Sequence, residues 1–372
     1  LNNSGGKIAS VGPLLLQRAN QVYNDADGKI ISQSLLTLLA GGLDNSERGT
    51  IAGKERVVIT TAGVVQNHTD GLIYSQDADV QLNAAGLNNA KGNVQGQTGL
   101  GLGINGDVDN RGGTLASLKG LLDARLTGGL NNGGGIIQAQ GLSLIANRVD
   151  NQTGRIAAQT GDAVINASAF ANANGGVYAK GLVRVAGQTL DNSAGQIAGG
   201  VIDLSATGAL TNRAGVVESD STLSVVADSV DNGAGKLRAL GGGGKTLFQI
   251  GNLFDNRNGV VETANTDLTL AANSFLNSDG RLLHVGDGNF DISLPNVTGA
   301  GGSIVTRGGL TLNADTWSNS SVIQAGRLNV NVNNFTQTDT GQLLASTRLE
   351  GKGGNWTNNG LIASDGSMAL QL

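Results

Sequence analysis

Few residues of the types that usually perform catalysis stand close together in this sequence. Its 372 residues contain no cysteine and two histidines, His68 and His284. About ten turns of the repeat described below separate these imidazoles, so they cannot share a Ser-His-Asp triad or a metal ion. We therefore predict that both are exposed residues of a turn or a face. Asp and Glu are more numerous, but no two of them stand out as the carboxylate pair of a sugar hydrolase.

The segment 239–246 ends like a phosphate-binding loop, with Gly244-Lys245-Thr246. Such a loop needs a glycine at its first position and a helix after it, so that backbone amides face the phosphates. Here the first position is Ala239, and residues 246–250 have the pattern of a strand. The sequence therefore predicts no nucleotide-binding site.

Two acidic stretches, 25–28 and 286–291, resemble parts of a calcium-binding loop. Neither recurs in successive repeats, as a calcium-binding β-roll would require. We interpret both as solvated turns. The sequence thus predicts no metal ligand, no cofactor and no catalytic residue, and indicates that the protein is not an enzyme.

The elements that position these residues follow a short repeat. An asparagine recurs about every 21 residues, an apolar residue precedes it by two positions, and a glycine usually follows after three or four. Ile, Val or Leu comes two positions beyond the glycine. This unit, Φ-x-N-x-x-G-x-Φ, is too short to enclose its own core, so successive units must stack.

The repeat runs from Leu1-Asn2-Asn3 to Trp356-Thr357-Asn358 and gives about 18 rungs, each one turn of a solenoid. Gln337 once replaces the asparagine, and one rung is assigned to Leu294-Pro295-Asn296. We predict that the stacked amides form a structural ladder, each donating to the next rung and accepting from the previous one. The ladder residues singled out are Asn45, Asn67, Asn89, Asn110, Asn132, Asn151, Asn172, Asn192, Asn212, Asn232, Asn256 and Asn277.

The composition favours strands over helices. Gly, Asn, Asp, Thr and Val are poor helix formers, and no stretch sustains a 3.6-residue apolar period. We therefore predict an all-β fold, a right-handed parallel β-helix (β-solenoid) of about 18 rungs with roughly 21 residues per rung. At about 4.8 Å per rung this would be a rod on the order of 85 Å long. Asn also tolerates the left-handed backbone that a sharp corner requires.

The repeat runs without a long break, which predicts a single elongated domain over residues 1–372, an internal segment of a longer chain. Irregular loops are expected near 239–245 and 287–309. The net charge of −5 comes without a basic stripe, which argues against nucleic acid as a partner. No apolar run reaches the length of a membrane span.

Stretches such as Leu190-Asp191-Asn192-Ser193-Ala194-Gly195-Gln196-Ile197-Ala198 and 108–116 resemble filamentous-haemagglutinin-type repeats. Those repeats form the shafts of large bacterial exoproteins exported by two-partner secretion, among them haemagglutinin adhesins and contact-dependent growth inhibition proteins. The resemblance covers essentially the whole chain. It implies a secreted or bacterial cell-surface protein whose partners are an outer-membrane transporter and a receptor or glycan on a target cell.

The resemblance also implies which part of such a protein this is. The family's N-terminal secretion domain carries Asn-Pro-Asn motifs, and the two prolines here, Pro13 and Pro295, form none. No C-terminal toxin domain is evident, because the repeat continues to the last residues. A middle segment of the filament is therefore expected.

Three functions remain to be compared. The first is a structural shaft that projects an adhesive or receptor-binding region toward other cells, in adhesion or, with a C-terminal toxin, in contact-dependent growth inhibition. The second is a module that binds a glycan or receptor through exposed faces or loops of the solenoid. The third is a polysaccharide lyase, which needs a cleft with acids, a base and often calcium, and the sequence shows no such cluster.

Overall fold

The computed structural model describes residues 1–297 and 301–372, and the regular structure in them is entirely β-strand. The chain is a parallel β-solenoid of about 17 rungs with about 21 residues each. The predicted all-β solenoid is thus confirmed, with about 17 rungs in place of 18, whereas the right-handed coiling stays a prediction. The chain divides into two compact units, Leu1–Gly187 and Gln188–Leu372. That the chain is one elongated domain also stays a prediction.

The first unit consists of short strands that follow one another around each rung. They are β1 (Lys7–Ser10), β2 (Leu14–Tyr23), β3 (Lys29–Ser32), β4 (Leu36–Asp44), β5 (Thr50–Gly53), β6 (Val57–Thr61), β7 (Val64–Gln66), β8 (Leu72–Ser75), β9 (Asp79–Ala84), β10 (Gly86–Asn88), β11 (Asn93–Gly96), β12 (Gly99–Ile104), β13 (Val108–Asp109), β14 (Thr114–Ser117), β15 (Leu121–Leu126), β16 (Gly129–Asn131), β17 (Ile136–Ala139), β18 (Gly141–Asp150), β19 (Arg155–Ala158), β20 (Ala163–Ala171) and β21 (Gly176–Gly187).

The second unit is built in the same way. Its strands are β22 (Thr189–Asp191), β23 (Gln196–Thr211), β24 (Val216–Ser219), β25 (Leu223–Asp231), β26 (Lys236–Ala239), β27 (Lys245–Ile250), β28 (Leu253–Asp255), β29 (Val260–Thr263), β30 (Asp267–Ala271), β31 (Ser274–Leu276), β32 (Arg281–His284), β33 (Asn289–Ser293), β34 (Asn296–Val297), β35 (Ser303–Thr306), β36 (Gly309–Asn319), β37 (Val322–Gln337), β38 (Gln342–Lys352), β39 (Asn355–Asn358), β40 (Leu361–Ser364) and β41 (Ser367–Gln371).

Each strand pairs in parallel with the equivalent strand of the next rung, so every position of the repeat becomes a column. In the first unit, Leu87 aligns with Val65 on one side and Val108 on the other. In the second unit, Val230, Phe254 and Phe275 align in the same column. The apolar residue of the Φ-x-N motif therefore packs against the equivalent apolar residue of the neighbouring rung. This repetition keeps the cross-section of each unit constant.

The core lies inside the rungs and is formed by columns of inward-pointing side chains. Alternate residues of a strand point inward, as in β27, where Thr246, Phe248 and Ile250 are buried and the residues between them are exposed. Aromatic rings fill several inward positions of the second unit. The ring of Phe254 stacks between those of Phe248 and Phe275, with centroids 5.7 Å apart on each side.

One rung of the sequence assignment is wrong. Val297 pairs with Trp317, so Val297 and not Leu294 occupies the column of the apolar residue that precedes the ladder. Asn296 is correspondingly exposed and does not belong to the ladder. The residue two positions after Val297 lies outside the described residues.

The segments expected to be irregular contain both loop and strand. Residues 240–244 connect β26 to β27, while Ala239 and Lys245 belong to those strands. Much of 287–309 is occupied by β33, β34 and β35, and residues 298–300 of this segment lie outside the described residues.

Candidate functional site

The asparagines at the first corner of each rung form a continuous hydrogen-bonded column in the first unit. The side-chain Nδ2 of each donates to Oδ1 of the next at 2.6–2.8 Å. From Asn24 to Asn172 these side chains are completely buried, and Asn3 is 8% exposed. The column comprises Asn3, Asn24, Asn45, Asn67, Asn89, Asn110, Asn132, Asn151 and Asn172.

Each of these asparagines also fastens the corner of its own rung to the next rung. Asn89 illustrates the arrangement: its Nδ2 contacts the carbonyl oxygens of Gly92 at 3.2 Å and of Thr114 at 3.1 Å. Its backbone N–H donates to the carbonyl of Asp109 in the next rung at 2.7 Å. A buried amide that satisfies both its donors and its acceptor adds stability and fixes a single register.

The second unit repeats this column through Asn192, Asn212, Asn232, Asn256 and Asn277, with Nδ2–Oδ1 distances of 2.7–2.8 Å. The series stops at Asn277, whose Nδ2 is buried and has no hydrogen-bond partner among the described residues. It resumes at 319, where the amide of Asn319 donates to Gln337 and that of Gln337 to Asn358, both at 2.9 Å.

A glycine follows most ladder asparagines after three or four residues, and it is needed there because it has no side chain. A Cβ on Gly215 would lie 2.6 Å from Oδ1 of Asn212 and closer still to the carbonyl oxygen of Asn192 in the preceding rung. The left-handed conformation falls on the residue before the glycine, as at Ala214 and Ala234, with φ of 52° and 54°. None of the ladder asparagines has a positive φ, so the ladder asparagine is not the left-handed residue of this corner.

At many rungs the residue just before the ladder asparagine is Asp or Asn, and it has a role that sequence reasoning missed. Its side-chain oxygen accepts a hydrogen bond from the backbone N–H two positions on, at 3.1 Å from Asp109, 2.9 Å from Asp191 and 3.0 Å from Asp231. This is the turn that Asp and Asn form most readily. The signal was present in the sequence as the recurrent Asp or Asn in the middle of the Φ-x-N motif.

Arginines pair with several of these aspartates at the surface. Arg111 contacts Asp109, and Arg257 contacts Asp255, each with a nitrogen–oxygen distance of 2.6 Å. The hydrogen bond from the guanidinium is the main reason that the pKa of Asp109 and the pKa of Asp255 lie below the ordinary value. The arginines are mostly solvent-exposed, so these pairs orient the corner and add little stability.

The two histidines lie in different environments. His68 is half-buried and its Nδ1 lies 2.9 Å from Oγ1 of Thr69. His284 is completely buried, so its predicted exposure is wrong. Its register aligns it with Thr263 and Thr306 in an inward column, which explains the burial.

Hydrogen bonds to neighbouring rungs hold the His284 ring. Its Nδ1 lies 2.8 Å from Oγ1 of Thr306, and its Nε2 lies 3.0 Å and 3.1 Å from the carbonyl oxygens of Asn265 and Thr266. Because both ring nitrogens are engaged inside the core, this arrangement is a packing solution and leaves no nitrogen facing solvent.

The loop that ends in Gly244-Lys245-Thr246 is tied down through its carbonyl groups. Nδ2 of the buried Asn265 donates to the carbonyl oxygens of Gly241 at 2.8 Å and Gly243 at 2.9 Å. A strand, β27, follows it. A phosphate would need backbone amides and a helix N-terminus at this place, so the geometry does not suit a nucleotide.

Residues 1–297 and 301–372 contain no group of three or more His, Cys, Asp or Glu side chains that could hold a metal ion. In the stretch 25–28, Asp25 accepts a hydrogen bond from Ser4, and Asp27 pairs with Arg48 at 2.8 Å. Among the same described residues there is no helix of the length and apolar character needed to cross a membrane.

Comparison with known proteins gives one family. The model of the haemagglutinin repeat matches residues 2–74, 103–174 and 158–214. No curated protein and no solved structure matches the chain. Members of this family are secreted, surface-associated adhesins whose repeats are generally non-enzymatic structural elements. The matched repeats, together with the parallel β-solenoid into which they fold, show that the chain belongs to the haemagglutinin repeat family.

Proposed function

We propose that this chain is part of the shaft of a large secreted bacterial filament, which holds an adhesive or receptor-binding region away from the producing cell. The observation that carries the proposal is the asparagine ladder. From Asn3 to Asn172 and from Asn192 to Asn277, buried amides and backbone pairs join each rung to the next. Such an arrangement gains length by adding rungs without changing the cross-section.

The same geometry supports assembly outside the cell. Each finished rung offers an edge of backbone groups and one free ladder amide, which are satisfied when the following rung pairs with it. The chain has no cysteine, so this process needs no disulfide formation. The partner that fits is the outer-membrane transporter of a two-partner secretion system, which would release the chain progressively for folding on the outside.

The shaft proposal is tested by the shape of the purified chain in solution. With about 17 rungs at about 4.8 Å each, a single elongated domain would be about 80 Å long. Small-angle X-ray scattering and negative-stain micrographs should show a rod of that length and uniform width. A compact globule in both measurements would contradict the proposal.

Whether the parent protein acts in adhesion or in contact-dependent growth inhibition depends on what the shaft carries. The two are separated by expressing the parent protein on a producing strain and measuring both adherence and the survival of co-cultured target bacteria. Adherence without killing supports an adhesin. Loss of target cells that requires contact supports toxin delivery.

One observation favours a second function, binding of a glycan or receptor by the solenoid itself. A groove of about 930 Å³ runs across successive rungs of the second unit, with Ser205, Val226, Gln249, Ala271 and Ser293 along its floor. These residues lie at equivalent strand positions, which suits a linear ligand parallel to the axis of the unit.

A glycan array probed with the whole chain tests this second function. Ala271→Trp would fill the groove and should abolish binding, whereas Ser224→Trp, on an outward position that does not line the groove, should leave binding unchanged. Equal binding by both variants, or no binding by the unaltered chain, would count against a glycan-binding role of the groove.

A further inference from the structure

Six asparagines in this chain are directly followed by glycine, namely Asn105, Asn132, Asn174, Asn232, Asn258 and Asn359. Glycine places no side chain beside its own nitrogen, so in this dipeptide the backbone nitrogen can approach the preceding side-chain amide most easily. We propose that Asn105 is a site of spontaneous deamidation in the folded protein and that the solenoid protects the other five.

The reaction is an intramolecular substitution that consumes one water molecule. The backbone nitrogen of Gly106 loses its proton to solvent base and attacks Cγ of Asn105, forming a C–N bond. The Cγ–Nδ2 bond breaks, and the amide nitrogen takes up a proton and leaves as ammonia. Water then opens the resulting succinimide at either carbonyl and yields aspartate or isoaspartate. The nucleophile is weak, so the step requires an N–H that is free to lose its proton.

The structure leaves both reacting groups of this dipeptide free. Asn105 is exposed, lies in the bend between β12 and β13, and its side chain makes no hydrogen bond among the described residues. The backbone N–H of Gly106 likewise has no hydrogen-bond acceptor in the described part of the chain. The flanking groups are held, because the N–H of Asn105 donates to Ala84 and the carbonyl of Gly106 accepts from Gly128.

Two of the other asparagines are ladder residues and are protected by burial. Asn132 and Asn232 are completely buried, and each uses Nδ2 to bond the next ladder asparagine at 2.7 Å. The leaving amide is thus held by the ladder and water has no access to Cγ. Reaction at either position requires opening of the rung, which involves breaking its backbone pairs.

Asn174 and Asn258 are exposed but differ from Asn105 at the attacking nitrogen. They occupy the left-handed position of the corner, with φ of 54° and 56°. The N–H of the glycine after each is bonded to the carbonyl of the ladder asparagine, from Gly175 to Asn172 and from Gly259 to Asn256, both at 2.9 Å. A hydrogen-bonded N–H keeps its proton and its orientation away from the side chain.

The sixth dipeptide is protected at the same atom by a side chain. The N–H of Gly360 donates to Oδ1 of Asn358 at 3.2 Å, although Asn359 itself is exposed. Exposure of the asparagine therefore does not distinguish Asn105 from Asn174, Asn258 or Asn359. What distinguishes Asn105 is that the backbone N–H of the glycine after it is free of a hydrogen bond among the described residues.

The test is peptide mapping by mass spectrometry after incubation of the whole folded chain at pH 8.5 and 37 °C, with isoaspartate detected by enzymatic methylation. Asn105 should lose its amide about fivefold faster than Asn174, Asn258 or Asn359, the factor that one hydrogen bond on the nitrogen provides. It should react at least about a hundredfold faster than Asn132 or Asn232, which require a rung to open.

Two controls make the result decisive. In concentrated urea the six sites should react at similar rates, because the differences come from the fold. Asn105→Gln should remove the early isoaspartate signal without changing the circular dichroism, since Gln would have to close a larger ring. The proposal is overturned if Asn174 or Asn258 reacts as fast as Asn105 in the folded chain, or if Asn105 reacts only after unfolding.

Discussion

At the scale of single residues, a ladder asparagine is hard to replace because it is both donor and acceptor within one column. Oδ1 of Asn110 accepts from Asn89, while its Nδ2 donates to Asn132 and approaches the carbonyls of Gly113 and Ile136. An aspartate has the same shape but cannot donate when ionised. A single exchange of nitrogen for oxygen thus turns three attractions into repulsions in a site without water.

We predict that Asn110→Asp destabilises the first unit by about 3 kcal/mol or more at pH 7. Burial among carbonyl oxygens raises the pKa of the introduced carboxyl above its unfolded value, so protonation restores part of the stability as pH falls below that raised pKa. Urea unfolding at pH 7 and pH 4.5 measures this. Asn147→Asp, at an exposed position, is the control; an equal loss in both variants would contradict the role of the ladder.

The aspartate–arginine pairs give a second prediction at this scale. The pKa of Asp255 is lowered chiefly by its hydrogen bond from Arg257. A lowered native pKa contributes stability above the unfolded value and loses it as pH falls through the native value. Arg257→Gln should therefore raise the pKa of Asp255 in an NMR titration and shift acid unfolding to a slightly higher pH. An unchanged titration curve of Asp255 would show that a group other than Arg257 lowers its pKa.

At the scale of the element, two adjacent residues of the corner have different structural roles. Ala214 takes the left-handed backbone, and Gly215 passes against the ladder where a side chain would collide with Asn192 and Asn212. The sequence pattern predicted a glycine-assisted corner but not this division, because close approach to a neighbouring rung is not visible in one repeat.

The two positions should respond in opposite ways to substitution. Gly215→Ala should cost about 2–4 kcal/mol, because neither the backbone carbonyl of Asn192 nor the ladder can move aside. Ala214→Gly should be neutral or stabilising by up to about 1 kcal/mol, since relief of the left-handed strain exceeds the entropy lost by glycine. Thermal unfolding of the two variants checks this. A destabilised Ala214→Gly together with a tolerated Gly215→Ala would refute the assignment.

At the scale of the molecule, a stack of equivalent rungs should tolerate the loss of a whole repeat better than the loss of part of one. The neighbours of each rung in the second unit offer the same columns, from Val230 to Phe254 to Phe275. Removing one complete repeat joins two compatible edges. Removing half a repeat places inward residues on the outside.

Deletion of residues 213–232 tests this directly, because it joins Asn212 to the corner that follows Asn232. The shortened chain should keep its β-sheet circular dichroism and unfold cooperatively, and scattering should show a loss of about 4.8 Å in length. Deletion of residues 213–222 should abolish the cooperative transition. Equal behaviour of the two deletions would contradict a solenoid built of interchangeable rungs.

The sequence alone determined the parallel β-solenoid, the length of its rung and the positions of its first corner, because these depend on a local pattern repeated many times. It did not determine the burial of His284, the exposure of Asn296 or the left-handed residue of the corner. Those depend on which residues of neighbouring rungs come into register. The ladder hydrogen bonds, the collision that excludes a side chain at Gly215 and the free N–H of Gly106 exist only between rungs, so the tertiary structure decided them.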